Sequence, residues 1–185
     1  MGKEQHVTKD MRRSMLLVEK YKNVILDALR AEKITCVEGD DNDVLKMLDL
    51  TCGIDYYHVY SDGLVRGIAS RWQTIRKGQP IWNTFTIRKE RESGADTEYK
   101  KRKHAIEKGG EYPYLTMQGY VDESDELLSV GFARTADIIE CIDKNLASTQ
   151  HTGYSQHGQA SFYVIKWDVM IANGYTVLVH RKEPS

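Results

Sequence analysis

Apolar residues recur at helical spacing near the start of the chain. Met11, Met15, Val18, Ile25 and Leu29 form one stripe along DMRRSMLLVEKYKNVILDALRAEK, which predicts a helix over 10–33. Asp10 stands where an N-cap belongs, bases crowd the far end, and Glu19 lies beside the stripe. ITCVEG (34–39) is a short strand candidate, and DVLKMLDL (43–50) after the acidic DDND is a short helix. GIDYYHVY (53–60) and GLVRGIASRWQ (63–73) then predict two strands, with Asp62–Gly63 as a hairpin turn between them. PIWNTFTIR (80–88), rich in aromatic and β-branched residues, is a third strand of what reads as an antiparallel meander.

The second half repeats this mixture. GADTEYKKRKHAIEKGG (94–110) is a helix with acids in its first turn, a supporting Glu98–Arg102 pair, and a stop at Gly109–Gly110. YPYLTMQGYVD (112–122) and LLSVGFART (127–135) are strands, and ARTADIIECIDKN (133–145) is a helix with Thr135 as its cap. STQHTGYSQHGQAS (148–161) is a polar loop. A strand, a turn at Asn173–Gly174 and a last strand close the chain. The expected fold class is α/β, a mixed β-sheet with helices on its faces, in one domain over 1–185.

Composition sets limits. The 185 residues are 41% hydrophobic and 29% charged, with no apolar run long enough for a membrane helix. The N-terminus lacks the apolar core of a secretion signal. Three cysteines without C-x-x-C spacing argue against a disulfide framework or a zinc ribbon, so a cytoplasmic location is expected.

Net charge is only −1, but it is laid out in blocks. Residues 36–55 and 111–143 are acidic. Residues 66–108 hold twelve Lys and Arg against five Asp and Glu. The basic block is the natural place for a polyanion such as DNA. Arg88, Lys100, Lys101 and Lys103 are its candidate phosphate contacts, although consecutive helical positions cannot all face one ligand. The acidic 111–143 segment repels DNA and is a candidate surface for a protein partner. Alternatively, the blocks neutralise one another in three dimensions. His151 and His157 lack zinc spacing. No phosphate-binding G-x-x-x-x-G-K-[ST] loop and no G-x-S-x-G elbow is present.

The candidate chemistry lies in 53–73. Asp55 opens one strand. On the return strand Ala69, Arg71 and Gln73 share a face by alternation. Helix, strand, GID, hairpin, strand and following helix together resemble the PD-(D/E)XK nuclease superfamily, with its restriction-endonuclease-like fold, over roughly 10–145. Ile54–Asp55 matches the PD half-motif, Ile68–Arg71 (IASR) takes the place of (D/E)-x-K, and Glu19 matches a helix glutamate common in that family.

The resemblance implies a metal-dependent deoxyribonuclease using Mg²⁺ or Mn²⁺, with Asp55, Glu19 and Gln73 as ligands. Arg71 would hold the scissile phosphate, and a homodimer would cut two strands. The chain departs from the motif at two positions. Ala69 stands where the second carboxylate belongs and cannot bind a metal. Arg71 stands where the lysine belongs and stays charged. A second reading follows from that departure: a nuclease-fold module without catalysis that binds nucleic acid or inhibits a protein partner.

Overall fold

The computed structural model describes residues 9–37, 52–92, 94, 96–151 and 160–182. The expected helix over 43–50 and the polar positions 152–159, His157 included, lie outside them, as do Asp40, Asp41, Asp43 and Asp49.

The first helix is divided. α1 (Lys9–Lys20) and α2 (Lys22–Leu29) meet at Tyr21, whose backbone leaves the helical region. Its N–H still bonds Leu17 and its carbonyl still accepts from Ile25, at 3.0 Å each. The Tyr21 hydroxyl donates to the Asp125 carbonyl at 2.6 Å and accepts the Leu127 N–H at 2.8 Å. α2 ends at Arg30 in the left-handed region (φ 52°), earlier than the apolar period alone suggests.

β1 (Lys33–Cys36), β2 (Tyr56–Val59) and β3 (Val65–Thr74) run antiparallel in turn. The expected hairpin is present. Gly63 takes φ 81°, and Asp62 accepts the Leu64 N–H at 3.0 Å. The next strand departs from expectation. β4 (Thr84–Arg91) does not extend the meander but leaves for a second sheet, ordered β4-β8-β7, with β7 at Ser148–His151 and β8 at Ala160–Lys166. After α3 (Glu98–Lys108), the strand that lies beside β3 is β5 (Leu115–Val121), and the pair is parallel. β6 (Leu127–Arg134) and β9 (Val177–Arg181) complete a six-stranded mixed sheet ordered β1-β2-β3-β5-β6-β9. All seven residues of β5 are buried, as suits a central strand covered on both faces.

Two local readings change. Thr135 does not cap α4 (Thr135–Asp143). Its hydroxyl lies 2.9 Å from that of Thr116, inside the core. The expected strand after 162 is split between β8 and a short helix, α5 (Trp167–Ala172), because Trp167 and Met170 bury one helical turn apart.

The large sheet separates two apolar clusters. One holds Val18, Ile25 and Leu29 of α1 and α2 against Ile68, Met117 and Phe132. The other packs Phe85, Ile87 and Ile165 of the small sheet, and Ile138 of α4, against Tyr120 and Trp167. Among the described residues, no helix is long and apolar enough to cross a membrane. Cys36, Cys52 and Cys141 form no disulfide.

His58, in β2, is fully buried. Burial pushes its pKa from 6.5 down to about 4, and the neighbouring Arg66 guanidinium pushes the same way. The unfolded chain therefore takes up this proton first as pH falls. The stability tied to His58 is complete above pH 6.5 and is lost between there and about 4. Unfolding by denaturant at pH 7 and pH 5 will show a loss of about 2 kcal/mol from this group. In His58→Leu, the difference between the two pH values shrinks by about that amount. An unchanged difference would mean that His58 titrates normally.

Candidate functional site

Asp55 is placed by backbone pairing. Its N–H donates to the Ile68 carbonyl and its carbonyl accepts from Val37, both at 2.9 Å, so it extends the β2 ladder by one residue. One carboxylate oxygen accepts the Ser70 N–H at 2.6 Å. That bond aims the side chain at β3, where a cavity of about 570 Å³ opens between α1, β3, β4 and α3.

The cavity is rich in arginine. Arg71 of β3, Arg88 and Arg91 of β4, Arg102 and Lys101 of α3, and Arg13 of α1 line it, together with the carboxylates Asp55, Asp96 and Glu98. Thr97 stands at the N-cap of α3 but spends its hydroxyl on the Lys89 carbonyl, 3.0 Å away, which ties the helix start to β4. Glu98, the first helical residue, therefore faces β3 and β4. Arg71 donates one Nη to Glu98 at 2.6 Å and the other to the Thr86 hydroxyl at 3.2 Å. Thr86 in turn donates to buried Gln118 at 3.1 Å. The Arg88 N–H reaches the second Glu98 oxygen at 3.4 Å. Both guanidiniums also sit over the Phe162 ring of β8, at 5.4 and 5.5 Å from its centre.

The electrostatics are those of a cation cluster around one acid. Burial alone would raise the Glu98 pKa. Arg71, Arg102 and Arg88 outweigh it and hold the carboxyl at about 2, so Glu98 is ionised at any ordinary pH. Arg102 is 7% exposed. Burial pulls its pKa down, and Glu98 and Asp55 oppose that. Burial also lowers the pKa of Arg88, whose Nε is buried with no hydrogen-bond partner. Guanidinium nevertheless stays charged in proteins, so both remain cations.

The expected residues divide. Asp55, Arg71, Arg88 and Lys101 share the cavity. Glu19 does not join them. It is exposed, pairs with Lys22 at 3.5 Å, and borders a separate apolar groove with Leu16, Ile34 and Tyr56. Gln73 lies further along β3, opposite Tyr120, and is not among the cavity's lining residues. Lys103 faces away and pairs with Asp143 at 2.8 Å, while Lys100 is exposed. Asp55, Glu19 and Gln73 are thus not gathered at one point. Among the described residues, no three His, Cys, Asp or Glu side chains group as a metal site. Among the described residues, the side chains do not by themselves make up a protein-built Mg²⁺ cage.

Glu98 and Arg102 were legible only as a surface i, i+4 pair, whereas both turn inward. Thr86, Gln118 and Phe162 carried no sequence signal beyond strand propensity. The acidic 111–143 block is largely spent within the chain. Asp125 pairs with Arg13, Glu126 with Lys20 at 2.9 Å, Asp137 with Arg134 at 2.7 Å, Glu140 with Lys144 at 2.6 Å and Asp143 with Lys103. Two of these bridges fasten α1, one wall of the cavity, to the β5–β6 turn.

Compared with models of known protein families, with curated proteins and with solved structures, the chain matches none.

Proposed function

We propose that the cavity binds the phosphodiester backbone of nucleic acid, DNA in the first place, and that the chain is a nuclease-derived protein of the PD-(D/E)XK type. The observation that carries this reading is the charge of the cavity, where five arginines and one lysine meet three carboxylates. Guanidiniums with unused donors in a partly dry site favour planar or tetrahedral oxyanions, and phosphates supply them. Phosphate contacts made this way give salt-dependent binding that ignores base sequence. The resemblance adds the element order. A helix precedes the strands, Asp55 directly precedes the second strand, Ala69 and Arg71 lie on the third, and a helix follows once β4 has left for the small sheet.

Fluorescence anisotropy with labelled duplex and single-stranded DNA across a salt series tests it. Micromolar or tighter binding that weakens steeply with salt is expected. Binding that is absent at low salt would overturn it.

Metal-dependent hydrolysis is the second reading, favoured by the motif carboxylate of Asp55 standing in the same cavity as Arg71. The donors among the described residues do not assemble a cage, so no step is assigned to a metal. Incubating DNA with the protein and Mg²⁺ or Mn²⁺, beside Asp55→Ala, decides it. Cleavage is expected to disappear in the variant, and cleavage that persists would remove Asp55 from the reaction. A cytoplasmic setting and pairing of two copies complete this reading. Sedimentation would then show a species of twice the mass of the chain.

A further inference from the structure

We infer that Glu98 is a resident competitor for the ligand of the cavity: its carboxylate holds Arg71 where a backbone phosphate binds, so that binding exchanges one anion for another on the same guanidinium. This rests on the reading of the cavity as a backbone site.

The first argument is donor supply. Arg71, Arg88 and Arg102 bring about fifteen N–H groups to the carboxylates of Glu98 and Asp55, and Asp55 already takes the Ser70 N–H on one oxygen. Glu98 takes an Nη of Arg71 at 2.6 Å and the backbone N–H of Arg88 at 3.4 Å. The Nε of Arg88 is left buried and unpartnered beside it. The cluster is therefore undersupplied with acceptors, and an anion with three or more oxygens would relieve it.

The second argument is exposure. Arg71 and Glu98 keep 30% and 25% of their side-chain surface, so their pair opens onto the cavity. Arg102 lines the same cavity but is nearly buried. If Arg71 turns to a ligand, Glu98 keeps Arg102 as its counter-charge and is not left as a buried, uncompensated anion.

The third argument is preorganisation. Arg71 is held from two other directions, by Thr86 at 3.2 Å, itself backed by Gln118, and by the Phe162 ring. Losing Glu98 does not release the guanidinium. One Nη stays fixed while the other changes partner, so little ordering remains to be done on binding. Small monovalent anions gain little from such an exchange. A polyanion that presents several phosphates at once gains most.

The test is binding of one labelled DNA duplex by the wild type, Glu98→Gln, Glu98→Asp and Arg71→Gln, and by the Arg71→Gln/Glu98→Gln double variant, each with its thermal unfolding recorded. Glu98→Gln is expected to bind about tenfold more tightly, and the gain is expected to vanish in the Arg71→Gln background. Glu98→Asp keeps the charge but shortens the reach. It is expected to bind more tightly too, and it serves alone if the glutamine variant does not fold. A folded Glu98 variant that binds no more tightly than the wild type overturns the exchange. So does a gain of equal size with and without Arg71, because mere removal of negative charge would produce it. A wild type that binds no DNA overturns the backbone-binding reading as well, and so separates the two failures.

Discussion

Replacing Trp167 with alanine will destabilise the protein by about 4 kcal/mol, the largest loss expected of any single truncation here. Trp167 is 1% exposed at the start of α5. Its ring stands 5.7 Å from Phe85 of β4 and 5.8 Å from Tyr120 of β5, so it joins the small sheet to the large one. The third neighbour is Gly131 of β6, where an added Cβ would come within 2.5 Å of the indole. The glycine and the tryptophan are thus cut to one another. The indole N–H is buried without a partner, so the loss is of packing and not of a hydrogen bond. For a chain of this length, 4 kcal/mol lowers the melting temperature by roughly 10 °C. Calorimetry checks it, and Trp167→Phe should recover about half. A loss below about 1 kcal/mol would mean that the two sheets are not held together through this ring.

That junction also marks where the sequence stops being a guide to the fold. Alternating and helical apolar periods identify segments, and the Asp62–Gly63 turn is local chemistry that fixes its own hairpin. Which strand lies beside which is decided by long-range packing. The segment around Thr84–Arg91 has the composition of a strand in either sheet. Its neighbour β8 is about seventy residues away, and nothing in the local pattern announces the pairing. The same holds for Trp167–Ala172, whose apolar run suits a buried strand or a buried helix equally well. Tyr21 interrupts a continuous helical period because its backbone changes course while its hydroxyl bonds the distant Asp125–Leu127 segment.

Part of the cavity lining was legible in the sequence. Asp55, Arg71 and Arg88 could be named because a strand start and a strand face follow from the period of two. Glu19 was placed by motif position alone, and that position says nothing of which way a helix turns its faces once packed. Leu17 and Val18 are the residues of that turn that bury, and Glu19 is left outside. Glu98 shows the opposite error. An acid four residues before an arginine in a helix is usually a solvated pair. Here the Thr97 bond to Lys89 turns the helix start inward, and three arginines from two strands and the helix itself make burial of the acid tolerable. Charge block 66–108 supplies all the cavity's bases except Arg13. Its excess of bases is folded partly inward, around a cavity, instead of being spread over a solvated face.

If that inward charge serves the nucleic-acid backbone, the double variant Arg71→Gln/Arg88→Gln will lose about hundredfold or more in DNA affinity near 0.1 M salt. Each charge-assisted hydrogen bond to a phosphate contributes roughly 1.5–3 kcal/mol, and two such donors are removed. The slope of log affinity against log salt should flatten by about two, one for each phosphate no longer neutralised. The loss should be the same for unrelated DNA sequences, because phosphate contacts position a duplex without reading it. Arg71→Lys should lie between, since ammonium keeps the charge but lacks the fork that spans Thr86 and an oxyanion. Lys103→Gln is the matched control. It removes one cation from α3, but one already committed to Asp143 outside the cavity, and should leave DNA affinity within about twofold. Glu98 sharpens the comparison. With Arg71 and Arg88 both gone it retains only Arg102 of its three guanidiniums, so part of any lost affinity would come from a more negative cavity. Adding Glu98→Gln to the double variant measures that part. Recovery of more than about tenfold would assign the effect to repulsion by the acid, and little recovery would assign it to the two guanidiniums themselves.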